Sequence, residues 1–159
     1  TLFISVQSLF MEKKMASGFK ECIEKGLLKR IPSSEENCTR SLNKAKKWLE
    51  EAEKTFENKI YQSSVLSSYL AMFHSASAIL FRDGYREKSH YCVARYLEEK
   101  YVKPGKLERK WVELLDYYRE MRHNNQYDLS FFVSEKEAKN SLKSAREFFE
   151  RMEKLIYER

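Results

Sequence analysis

The chain has 159 residues, with 30 Lys and Arg against 24 Asp and Glu, a net charge of +6. That length suits one domain able to bury a single core without disulfides or metal, and only four glycines and two prolines punctuate it, so an α-helical protein with few turns is predicted. Its three cysteines, Cys22, Cys38 and Cys92, are widely spaced and match neither a disulfide framework nor a zinc half-site, which points to the reducing cytosol. Half of the charge excess lies in residues 1–32, where six Lys and Arg meet three Glu. Such a balance permits an anionic partner without demanding one.

The chain opens on "TLFISVQSLF", apolar and uncharged, too short to span a bilayer and lacking the basic start of a signal peptide. It reads either as foreign to the domain or, preferably, as a short helix docking Leu2, Val6 and Leu9 onto the body. Residues 1–11 are therefore an extension and 12–159 a single domain. A first helix is expected over 12–29, broken at Pro32 in "KRIPSSEEN". Ser33 with Glu36 has the spacing of a capping box that starts a second helix, reaching about Asn58 with Leu42, Ala45, Leu49, Ala52 and Phe56 as its apolar seam. The third helix, Tyr61 to Arg82, is almost uncharged and rich in Ser and Ala, so it is expected at the centre, with Asp83-Gly84 ending it. Ser89 is the expected N-cap of a shorter helix that "KPG" closes at 103–105. Leu107, Trp111, Leu114, Tyr118 and Met121 set the seam of the next helix. A last helix opens at a second capping box, Ser134 with Glu137, and buries Ala138, Leu142, Ala145, Phe149, Met152 and Ile156. No strand pattern, linker or long repeat is legible. The expected architecture is all-α: an antiparallel up-and-down four-helix bundle with one or two additional short helices.

The most polar segment is "YREMRHNNQYD", Tyr118 to Asp128. Arg119, Arg122, His123 and Gln126 are spaced i, i+3, i+4, i+7 and share one helix face beside the seam. Arginine forks suit phosphate, and a histidine exchanges protons near neutral pH, so this face could hold a nucleotide or assist phosphodiester cleavage. The plainer reading is a solvated helix end whose cations complement the dipole. His74 reads as a core histidine. His90 follows a cap, where backbone amides can receive phosphate but where capping alone explains Ser89. Three histidines on three helices give no zinc signature, and no Gly-rich phosphate loop, Gly-x-Ser-x-Gly elbow or Cys-His pairing is present. Neither a metal nor a cofactor is expected.

Four segments together resemble one family: "GLLKRIPSS" before the second helix, "SYLAMFHSASAILFRDGYREKSH" across the third, "MRHNNQYDLSF" and "SEKEAKNSLKSAREFFE". The chain is similar, over about Glu12 to Ile156, to the HEPN domain (higher eukaryotes and prokaryotes nucleotide-binding), in its small stand-alone prokaryotic branch. The resemblance implies a helical bundle forming a two-fold homodimer, often encoded with a small nucleotidyltransferase in a toxin and antitoxin arrangement. In active relatives an Arg, four to six intervening residues and a His form an RNase site. Arg122 matches the arginine and His123 the polar residue that commonly follows it, but Tyr127 stands where the histidine is expected. A tyrosine, with a pKa near 10, is a poor base at neutral pH. The resemblance therefore implies nucleotide, RNA or partner binding through Arg119, Arg122, His123, Gln126 and Tyr127. The alternative is divergent metal-independent cleavage by Arg122 and His123. Tyr127 could also accept a nucleotidyl group from the partner enzyme.

Overall fold

A computed structural model describes residues 18–158 of the chain. The apolar extension and the start of the first expected helix lie outside the described residues. α1 covers residues 18–24 and is followed by β1 (Leu28–Arg30), α2 (Glu35–Glu57), α3 (Tyr61–Asp83), β2 (Tyr85–Glu87), α4 (His90–Leu97), α5 (Arg109–Tyr127) and α6 (Glu135–Tyr157). A π-helical turn, Glu98–Val102, prolongs α4. The four long helices α2, α3, α5 and α6 form the bundle, so the all-α architecture is as the periodicity predicts.

The first helix does not run to residue 29. Gly26 takes a left-handed φ of +67°, Leu27 N–H bonds Cys22 O at 2.8 Å and Gly26 N–H bonds Ile23 O at 3.1 Å. This pair of bonds closes a helix early around a glycine. The chain then contains strands that alternation did not reveal: β1 pairs antiparallel with β2 in the register Leu28↔Glu87, Lys29↔Arg86, Arg30↔Tyr85. Gly84 makes that return possible. Its φ is +85°, and a Cβ there would stand 2.8 Å from Ile31 O.

α2 is capped one residue later than the spacing suggests. Ser34, not Ser33, accepts from Asn37 N–H at 3.0 Å, while the Ser33 hydroxyl donates to the Arg82 carbonyl. The second capping box is as predicted: Glu137 N–H bonds Ser134 Oγ at 3.1 Å and Ser134 N–H bonds Glu137 Oε2 at 3.2 Å. Ser134→Ala should cost about 1 kcal/mol of unfolding free energy, read from urea denaturation as a lowered midpoint at unchanged slope.

α3 is long and apolar enough to cross a membrane by composition, yet most of its surface is buried by its neighbours, as befits a core helix. Two of its serines bond backbone carbonyls inside the core: Ser64 Oγ donates to Ala52 O at 2.8 Å and Ser75 Oγ to Ala71 O at 2.6 Å. Ala45 and Ala52 of α2 and Ala71, Ala76 and Ala78 of α3 are all fully buried, so small side chains let these helices close on one another.

The cysteine reading is corrected by the fold. Cys22 on α1 and Cys92 on α4 form a disulfide across a sequence separation of 70, and the buried Cys38 lies outside that bond. Spacing could not show this, because the pairing depends on the β1–β2 ladder bringing α1 onto α4.

Candidate functional site

The second half of α5 buries Tyr118 and Met121 and turns its intervening polar residues toward the start of α4. An open cleft of about 410 Å³ lies there, lined by His90, Arg119, Glu120, Arg122, His123 and Asn124. Three of the five residues on the expected binding face, Arg119, Arg122 and His123, thus meet in one place. Gln126 and Tyr127 follow at the exposed end of α5 and do not line the cleft. Tyr127 is 69 % exposed, with its ring 4.9 Å from that of His123. Asn125 Nδ2 donates to Gln62 O at 3.1 Å, latching this end of α5 to the start of α3.

The two arginines are held differently. Arg119 Nη1 lies 2.5 Å from Asp116 Oδ1, and its guanidinium is 5.2 Å from the Tyr91 ring centre. Asp116 also accepts from Arg95, which packs 4.8 Å from the same ring and lies 3.4 Å from the buried Glu98. Arg119 is therefore fixed in position and partly neutralised by a network joining α4 to α5. Arg122 instead lies over the ring of Tyr69, 5.3 Å from its centre, and its buried Nε has no acceptor among the described residues. Unlike Arg119, it is paired to no carboxylate among the described residues, so its charge is the less neutralised of the two toward an incoming anion.

His90, set aside as the residue after a cap, is part of the cleft. Ser89 occupies the N-cap position, but its side chain makes no capping bond. The His90 ring stacks on Phe73 at 3.9 Å with 10° between planes, and Nδ1 is 2.8 Å from the Tyr69 hydroxyl. Burial raises the pKa of Tyr69 well above its ordinary value, against the pull of Arg122 and Arg119, so the hydroxyl keeps its proton. Burial, then Arg122, His74 and Arg119, lowers the His90 pKa to about 4, leaving the imidazole neutral at pH 7. His74 is half-buried with its ring edge-on to Phe73 at 5.2 Å, and burial followed by Lys44 lowers its pKa. It does not line the cleft. The sequence signal for His90 was present in the turn "GYREKSH", but periodicity within one helix cannot connect it to α5.

A helical bundle that gathers two guanidiniums and two imidazoles at one helix end is chemically suited to phosphate: forks for its oxygens, and nitrogens able to donate or exchange a proton. The model of the HEPN domain matches residues 39–155, and the chain belongs to the HEPN family. It is 29 % identical over 103 residues to "Putative toxin MJ0605" of Methanocaldococcus jannaschii, covering 65 % of this chain and 76 % of that protein. A second protein of the same organism, "Putative toxin MJ0142", is 26 % identical over 118 residues, or 72 % and 78 % of the two chains. A "UPF0332 protein" of Thermotoga maritima is 26 % identical over 113 residues, 71 % and 86 %.

Proposed function

We propose that this chain binds the phosphates of a nucleotide or single-stranded RNA in the α4–α5 cleft. In this reading it acts as a two-fold homodimer, with a small nucleotidyltransferase as partner in a toxin and antitoxin pair. The carrying observation is the convergence of Arg119 and Arg122 on one open cleft, with Arg119 paired to Asp116 and no carboxylate paired to Arg122 among the described residues. The toxin names of the archaeal relatives support the pairing, and the family resemblance supports the dimer and the partner.

Binding of a labelled single-stranded RNA, followed by fluorescence anisotropy, tests the reading. Arg122→Ala should weaken it about tenfold and flatten its salt dependence by roughly 0.7 of a logarithmic unit per lost phosphate contact. An unchanged affinity and salt slope would exclude Arg122 from phosphate binding. Sedimentation equilibrium tests the dimer. Incubation with the partner enzyme and nucleotide followed by mass spectrometry tests Tyr127, whose added group should be absent from Tyr127→Phe.

A second reading, metal-independent RNA cleavage by Arg122 and His123, is favoured by the second imidazole on the same cleft, since transfer chemistry at a phosphodiester needs both a proton acceptor and a proton donor. Cleavage with chelator present, abolished by both Arg122→Ala and His123→Ala, would establish it. Intact RNA throughout would leave binding as the function.

A further inference from the structure

We infer that His90, outside the α5 motif, is the proton-responsive phosphate ligand of this cleft: a phosphodiester settling beside Arg119 and Arg122 draws a proton from solvent onto the imidazole, which then binds it as a charged donor. This rests on the phosphate-binding reading above and adds to it a residue and a linkage.

The geometry leaves His90 one role at a time. Phe73 stacks against one face of the ring, and Nδ1 is committed to Tyr69, so Nε2 is the nitrogen offered to the cleft that His90 lines. The Tyr69 contact serves both charge states. A phenol both donates and accepts, so its hydroxyl can donate to a bare Nδ1 and accept from a protonated one with the same 2.8 Å separation. Protonation then requires rotation of one hydroxyl and no movement of the ring.

The surroundings set the direction of the linkage. From α3, His90 faces Tyr69 and His74; from α5, Arg119, Arg122, Glu120 and His123; and Glu87 and Lys88 lie just before it in the chain. Burial first, then Arg122, His74 and Arg119, keep the imidazole neutral down to about pH 4. A bound phosphodiester leaves the burial in place but offsets those positive charges, so it favours the imidazolium and moves the group part of the way toward the ordinary histidine value of about 6.5. Between these limits the complex holds more protons than the free protein, so affinity rises as pH falls through that window.

Hexauridylate without a terminal phosphate is a suitable probe, because neither its diesters nor its bases titrate between pH 5 and 7. Wild type should bind it on the order of tenfold more tightly at pH 5 than at pH 7. His90→Gln should give a flat profile, whereas His74→Gln should keep the slope. In the wild-type protein, the NMR titration midpoint of the His90 ring should move upward when the oligomer is added, a readout independent of any variant's folding. A wild-type profile in His90→Gln, a slope removed by His123→Gln instead, or an unmoved His90 midpoint would each overturn the inference while leaving phosphate binding intact. Failure of folded wild type to bind the oligomer at either pH would overturn the phosphate-binding reading, and the inference with it.

Discussion

Replacing Asp83 with alanine is expected to lower the unfolding free energy by about 3 kcal/mol. Asp83 Oδ2 accepts from the Tyr96 hydroxyl at 2.9 Å and the Tyr101 hydroxyl at 2.5 Å. Tyr96 and Tyr101 are only 2 % and 8 % exposed, so both phenols would be left without their acceptor in the interior. Arg82, 3.4 Å from Asp83, donates to Ile156 O at 2.7 Å and to the Tyr101 hydroxyl at 2.9 Å, and would lose its counter-charge. Burial and Asp83 together push the Tyr96 pKa upward and that of Tyr101 to about 12, so both remain donors across the neutral range. Asp83→Asn keeps an acceptor and should cost clearly less. Urea unfolding followed by circular dichroism reads both, and a loss below 1 kcal/mol in Asp83→Ala would show that the cluster is not a stabilising junction. Asp83 lies fourteen residues beyond Tyr69 on α3, roughly 20 Å along its axis, so the folded variant should keep its RNA affinity.

The parts of the fold legible in the sequence are those whose causes are local. α6 follows from a capping box and one apolar seam, and its start at Glu135 after Ser134 is where that spacing places it. α2 shows where local reading slips. Ser33 and Ser34 are adjacent, each with an acceptable partner three residues on, and the choice is made by the Arg82 carbonyl, which occupies Ser33 from a distant helix turn. β1 and β2 are three residues each, too short to show alternation. They exist because the α2–α3 hairpin returns the chain beside its own entrance at Gly84. The cleft divides in the same way. Arg119, Arg122 and His123 share a face by helical period, but His90 joins them only through the packing of Tyr69 and Phe73, which periodicity assigns simply to the core. Within one helix, His90 therefore shows only as the residue that follows a cap.

Opening the Cys22–Cys92 bond should lower the unfolding free energy by about 4 kcal/mol, because the bond closes a loop of 70 residues that the unfolded chain would otherwise be free to sample. The loss should fall unevenly. Among the described residues the other contacts of α1 are light ones: Phe19 meets Tyr96 at 6.5 Å between ring centres and lies under Lys100 Nζ at 5.4 Å, and Gly18 fits against Arg95 where a Cβ would come within 2.8 Å of Cδ. Hydrogen exchange in the reduced protein should therefore rise first over residues 18–24, before α3 or α6 responds. Both half-cystines are buried, at 1 % and 0 % exposure, so thiol reductants must wait for an opening event, and reduction should accelerate as urea is raised below the main transition. Cys92 lies two residues after His90, so once α1 is released the start of α4 loses a tether, and the cleft should lose affinity for RNA in the reduced protein even though every cleft side chain is retained. Equal urea midpoints for the oxidised protein and the Cys22→Ser, Cys92→Ser double variant would sink this account of the bond. Unequal midpoints with equal RNA affinity would confine the bond to stability and detach it from the cleft.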